Sequence, residues 1–370
     1  MNLPQRLLRW AHHLPLHSLP FPLSLILSSI GRRILWKALA RHTPEASFFP
    51  PPSLQRSCWG LRFRSPLFNA AGMFKNAEGY SLAYHQGAGA YLVGTTTSLP
   101  RRGLSRYGVR QPFASYPHSQ AALNALGLPN PGHRVVAHRI AQFPRYPDFP
   151  IGASVAYDPE LAPEEALPRL LEGIHLYVAA GVDFLELNES CPNVPHEPGW
   201  HALEFRLTWL AERFLARRQR RVPVAVKISV DTPVELMPPL LELLLHLGYD
   251  GLTIGNTSTA YETLQTMIVT PERQAYSLFW QRIGGGISGT PLAERRRQLV
   301  RIATQWLARR SPQQEFHILA VGGIVTPNEL VSALADGASL AQWYTGYIHA
   351  FLQHGDAVYR WMYTALEAVP

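Results

Sequence analysis

In FLELNESCPNVP, residues 184–195, a short apolar run, FLEL, stops at a cysteine held between asparagines: Asn188, Cys191 and Asn193. The same grammar recurs along the chain. Apolar, strand-length runs stand at 68–72 (FNAAG), 90–97 (AYLVGTTT), 151–156 (IGASVA) and 184–190 (FLELNES). Four more follow at 223–230 (PVAVKISV), 251–257 (GLTIGNT), 317–323 (HILAVGG) and 340–346 (LAQWYTG). Helical periodicity separates them at 160–180, 201–220, 232–248, 291–310 and 326–337. Eight strands with helical returns predict an α/β fold, a (β/α)8 TIM barrel spanning residues 55–370. A doubly wound sheet is the alternative, disfavoured because no G-x-G-x-x-G follows the first strand.

In a barrel the strand C-termini share one face, where active sites are built. Lys75, Thr95, Ser154, Asn188, Cys191, Asn193, Lys227, Asn256, Thr257 and the pair Gly322–Gly323 all fall at or just past such ends. Gly322–Gly323 and Tyr344–Thr345–Gly346 lie on adjacent strand ends, where backbone N–H groups free of side-chain bulk suit a phosphate. Ser288 and Gly289, in GGISG, are expected to complete that cradle. Lys227, inside VAVKIS, is expected to be buried, because barrel strands are covered on both faces.

The 370 residues are 46% hydrophobic and carry a net charge of +8. That basicity does not indicate a nucleic-acid partner, because it is local. Residues 1–44 hold Arg6, Arg9, Arg32, Arg33, Lys37 and Arg41 with no acid; the rest of the chain has 28 basic and 26 acidic residues. This stretch reads as two amphipathic helices, 4–15 and 22–41, divided by Pro20 and Pro22, and it is too short in apolar length to span a bilayer. It suits lying in a membrane interface; a helical cap on the main domain is the alternative. The Pro-rich stretch 43–54 (TPEASFFPPPSL) marks the boundary, with the connector between extension and barrel placed at 45–54.

Only two cysteines are present, without a C-x-x-C pattern, so both thiols are expected to be reduced and the setting cytoplasmic. Cys58, before the first strand, reads as structural. His12, His13, His17, His196 and His201 lack metal-like spacing, so no metal is expected and they are placed at surfaces or interfaces. Arg295, Arg296 and Arg297 read as a solvated helix face.

The motifs GLRFRSPLFNAAGMFKN, NESCPNVP, PVAVKIS, GLTIGNTST, GGISGTPL, AVGGI and GASLAQWYTG, in this order over about residues 55–348, resemble dihydroorotate dehydrogenases. The resemblance implies an FMN-containing barrel that oxidises dihydroorotate to orotate in pyrimidine synthesis. It mixes two branches. The helical extension, Lys75 and GGISGTPL resemble the membrane-associated, quinone-linked branch; Cys191, NALGLPN and ASVAY resemble the soluble one. By resemblance Cys191 is the catalytic base, and Asn124, Asn188, Asn193, Asn256 and Thr257, with Lys75, bind the substrate. Ala71, Gly72, Lys75, Thr95, Ser154, Asn188, Lys227, Ser288, Gly289, Gly322, Gly323, Tyr344 and Thr345 bind FMN. A quinone is the expected acceptor, with fumarate as the alternative, and the protein is placed peripherally on the inner face of the cell membrane. Two departures stand out. Glu189 replaces a small or apolar residue, and the segment 99–118 is altered, which leaves another dihydropyrimidine or an enoate open as substrate.

Overall fold

The structure, a computed structural model, describes residues 15–190, 199–218 and 221–367. Eight parallel strands form one sheet: β1 (Leu67–Asn69), β2 (Tyr91–Thr96), β3 (Ile151–Val155), β4 (Phe184–Asn188), β5 (Val224–Ile228), β6 (Gly251–Ile254), β7 (His317–Val321) and β8 (Leu340–Trp343). The order runs β1-β8-β7-β6-β5-β4-β3-β2, each neighbour parallel. All eight are predicted strands. Their almost unbroken burial is why they read as apolar runs rather than alternating ones.

The seam between β1 and β2 is closed by a side chain. Asn69 Nδ2 donates to the Leu92 carbonyl at 2.6 Å, and its Oδ1 accepts the Leu92 N–H at 3.2 Å. One amide thus replaces a ladder rung, because it donates and accepts at once. A two-stranded hairpin, Arg56–Cys58 with Leu61–Phe63, plugs the N-terminal end. Trp59 in its turn donates from Nε1 to the Asp250 carbonyl at 2.8 Å, and Phe63, Phe68 and Phe184 cluster beneath it. Cys58 is fully buried there, and burial pushes its thiol up to about 12, as suits a structural cysteine.

At the opposite end two insertions join. Phe113–Tyr116 and Ala121–Asn124 form a hairpin, and Gly286–Gly289, from between β6 and β7, adds antiparallel to it. On this accessory sheet lies the helix Phe21–Arg41. Ser29 Oγ accepts the Phe113 N–H at 3.1 Å, and Arg32 donates to Gln111 Oε1 at 2.8 Å. The helix tail is fixed by His42, 2.8 Å from Asp356, which also accepts Gln86 Nε2 at 3.0 Å. The expected helix over 22–41 is present; the one over 4–15 lies outside the described residues but for Pro15. Pro20 ends an extended stretch and presents Phe21 and Pro22 to the first turn, where a missing N–H costs nothing.

Two readings need correction. Arg296 does not belong to a solvated face: it is completely buried in the helix Ala293–Arg310, and burial lowers its guanidinium to about 10. Its neighbours do face outward, Arg297 to Asp336 at 2.9 Å and Arg295 to the Thr232 carbonyl at 2.9 Å. The run FLEL is also not wholly apolar in its setting, because Glu186 points its carboxylate into the barrel.

Candidate active site

The site is built from strand ends and the turns after them. Each barrel strand leaves its last residue at the mouth, and the following backbone must bend sharply before a helix can start. After β7, Gly322 and Gly323 take φ of 99° and 70°, left-handed values that L side chains resist. A Cβ on Gly323 would sit 2.4 Å from the Ala293 backbone, so the turn is packed directly against the start of the Ala293–Arg310 helix. After β8, Tyr344 precedes the helix Thr345–His354, and a Cβ on Gly346 would lie 2.1 Å from the Ile324 carbonyl. Two helix N-termini and a glycine turn therefore converge, an arrangement that favours an anion.

A cavity opens there. Its lining includes Ala71, Lys227, Asn256, Thr257, Ser288, Gly289, Gly322, Gly323, Gln342, Tyr344 and Thr345. Most of the predicted cofactor residues and two of the substrate residues are thereby brought together. Ser288 Oγ and Thr345 Oγ1 are 2.8 Å apart across the cavity edge. Thr257 Oγ1 and Gln342 Oε1 are buried with no hydrogen-bond partner among the described residues. Such atoms are costly to leave unpaired and point to a polar ligand.

Beside the cavity runs a connected polar chain. Thr95 Oγ1 lies 2.9 Å from Ser154 Oγ and accepts Asn188 Nδ2 at 2.9 Å. Asn188 Oδ1 accepts Ser190 Oγ at 3.1 Å, and Asn256 Nδ2 donates to Ser190 Oγ at 3.0 Å. Asn256 Oδ1 in turn accepts the Thr257 N–H at 3.0 Å. Lys227 is 2% exposed, with Nζ 3.4 Å from Glu186 Oε1. Sequence reasoning missed Ser190, Glu186 and Gln342. The first stands in the predicted motif itself; the other two were masked by apolar neighbours.

Other predicted residues stand apart. Lys75 is half-buried in the turn after β1, 3.9 Å from where a Gly72 Cβ would project. Asn124 sits on the accessory sheet, where its Nδ2 donates to the Gly286 carbonyl at 3.3 Å. Cys191 and Asn193 lie outside the described residues. Glu189 faces a helix, not the cavity: both Nε and Nη2 of Arg206 reach its Oε2, at 3.0 and 2.8 Å.

A second cavity, of about 330 Å³, lies between the Phe21–Arg41 helix and the accessory sheet. Leu27, Ile30, Ile34, Phe113, Leu126 and Ile348 make it predominantly apolar. Arg32 supplies a cation, its Nε buried with no hydrogen-bond partner among the described residues. Burial pushes the Tyr344 phenol up, against the opposing pull of Arg32 beside it. The altered stretch 99–118 contributes Phe113, Ser115 and Pro117 to this cavity and nothing to the lining of the first. Ser288, Tyr344 and Thr345 line both cavities and so form a shared wall.

The family model described as dihydroorotate dehydrogenase matches residues 53–360. The dihydroorotate dehydrogenase (quinone) of Synechococcus sp. (strain JA-2-3B'a(2-13)) is 32% identical over 80% of this chain and 76% of its own. That of Parvibaculum lavamentivorans is 32% identical over 80% and 78%. Among solved structures, DHODH from Eimeria tenella in complex with ferulenol superposes with a TM-score of 0.74 at 22% identity, covering 90% of this chain and 89% of that one. The chain belongs to the dihydroorotate dehydrogenase family, a family of flavin enzymes.

Proposed function

We propose that this protein oxidises dihydroorotate to orotate in pyrimidine biosynthesis and passes the electrons to a quinone. The observation that carries the reading is the shared wall: a polar cavity with a phosphate cradle and an apolar cavity meet at Ser288, Tyr344 and Thr345. Two substrates of opposite polarity can be served from the two sides of one redox group.

FMN is the cofactor this arrangement fits. The Gly322–Gly323 turn, the Thr345 helix end and the Ser288 hydroxyl would hold its phosphate, and Lys227 and Gln342 would bind its ring. Bound there, FMN supplies a two-electron acceptor for the hydride leaving the substrate. The accompanying proton goes to Cys191 Sγ acting as the thiolate, which becomes the neutral thiol; a positive charge nearby lowers a cysteine's pKa and so favours the thiolate form. Asn188, Asn193, Asn256 and Thr257, with Lys75, fix the pyrimidine ring, because amides match its alternating carbonyl and N–H edge. Asn124, on the accessory sheet, is assigned to the same substrate by the resemblance alone.

The quinone enters the cavity under the Phe21–Arg41 helix, where Arg32 offers a cation to a carbonyl oxygen. On that helix Leu23, Ile26, Ile30 and Ile34 are exposed, and Lys37 and Arg41 stand in solvent near its C-terminal end. An apolar stripe with basic flanks suits contact with a membrane surface, the source of a lipophilic acceptor. No helix among the described residues is long and apolar enough to cross a membrane. Peripheral placement on the inner face of the cell membrane is part of this reading.

Gly31 allows a direct test. It lines the apolar cavity, and a Cβ there would meet no atom within 4 Å. Gly31→Phe fills the cavity while leaving the helix intact. Quinone turnover is expected to fall at least tenfold, while anaerobic bleaching of bound flavin by dihydroorotate persists. Unchanged quinone turnover removes the acceptor assignment; absence of bleaching in the wild type removes the substrate.

A further inference from the structure

Glu186 is a buried carboxylate, 1% exposed, in the centre of β4, and the reaction proposed above gives it no part. A buried charge in a barrel core is expensive unless paired and hydrogen-bonded. Among the described residues the partners of Glu186 are Lys227 and Gln342, which line the polar cavity, and Ser154 beside it. Its Oε1 lies 3.4 Å from Lys227 Nζ and accepts Ser154 Oγ at 3.1 Å. Its Oε2 accepts Gln342 Nε2 at 2.7 Å. Lys227 and Gln342 come from β5 and β8, on different sides of the barrel, and both line the cavity floor.

A carboxylate only accepts hydrogen bonds, so Gln342 must turn its NH2 toward Glu186. That leaves Gln342 Oε1 as the outward acceptor, and this is the atom buried with no hydrogen-bond partner among the described residues. Lys227 meanwhile keeps donors to spare, having one ion pair among the described residues. The floor therefore presents a donor, Lys227 Nζ, and an acceptor, Gln342 Oε1. The pyrimidine edge of a flavin carries the complementary set, carbonyls flanking one ring N–H.

We propose that Glu186 is a positioning residue for the redox group: it fixes the orientation of Gln342, holds Lys227 in place, and partly screens the Lys227 charge that the ring experiences. The inference rests on the FMN reading above. Screening has a direction. Reduction brings negative charge onto the ring, a free cation favours it, and the Glu186 carboxylate works against it.

The test is the midpoint potential of bound FMN in Glu186→Gln, which preserves shape and removes the charge. Preference for reduced over oxidised FMN is expected to rise about tenfold, a shift of about +30 mV for a two-electron couple. Glu186→Asp keeps the charge but withdraws it by one methylene, so its potential moves the same way by a smaller step and serves if the Gln variant does not fold. A role confined to packing would leave the potential where it is. FMN uptake with equal potentials in wild type and variants overturns the assignment alone. A wild-type protein that takes up no FMN overturns the FMN reading and this assignment with it.

Discussion

Burial lowers His133 to about 4, against an opposing Asp158, and this makes stability depend on pH in a calculable way. The ring is 2% exposed and lies against the helix Pro163–Ala179, where a Gly173 Cβ would sit 2.1 Å from it. Nδ1 is 2.8 Å from Thr96 Oγ1, which is 2.7 Å from the Tyr177 hydroxyl, while Nε2 has no partner among the described residues. A proton added at Nε2 would be a buried donor with nothing to receive it. The unfolded chain binds that proton below the ordinary value of 6.5, whereas the folded chain resists it until about 4. Between those limits the unfolded state holds more protons, so stability rises with pH and is lost as pH falls. A separation of roughly 2.5 units at about 1.4 kcal/mol each gives about 3 kcal/mol, lost between pH 6.5 and 4. The assay is urea unfolding of wild type and His133→Gln at several pH values across that window. Other titrating groups cancel in the difference, which should narrow toward low pH by about 3 kcal/mol. Parallel pH profiles for the two proteins would refute the reasoning.

Two other perturbations test the architecture. Arg296 has all three guanidinium nitrogens buried without hydrogen-bond partners among the described residues. Arg296→Met is therefore expected to leave the thermal midpoint unchanged or raise it, because an apolar chain of similar length removes a desolvated charge; a drop of several degrees in a thermal melt would contradict this. Gly323→Ala must accept a left-handed φ of 70° and a Cβ 2.4 Å from the Ala293 backbone. The backbone conformation alone costs about 1–2 kcal/mol. FMN affinity, measured by quenching of flavin fluorescence, is expected to fall more than tenfold, and native affinity in this variant would remove the turn from the phosphate cradle.

The barrel was legible because parallel strands are buried on both faces and so write themselves as apolar runs. Pairing at a distance was not. Asn124 sits opposite Gly286, 162 residues away, and four-residue strands of the accessory sheet carry no periodic signal of their own. Asn69 reads as one more polar residue at a strand end, yet it closes the barrel, a role fixed only when β2 is brought alongside. The site was legible where glycines and amides follow strands. It was not at Glu186, since a single acid between Leu185 and Leu187 gives no hint of which strand will answer it. Arg296 failed for the converse reason: in a run of three arginines, periodicity alone does not say which one turns inward. Glu189 was singled out as a departure, and its partner Arg206, 17 residues on, shows that it binds a helix instead.

The partition formed by Ser288, Tyr344 and Thr345 also bears on how the protein can be blocked. A greasy molecule lodged beneath the N-terminal helix occupies one chamber and leaves the other vacant. With the acceptor entering there, as proposed above, such a molecule would halt turnover without displacing the pyrimidine, and raising the pyrimidine concentration would not relieve the block.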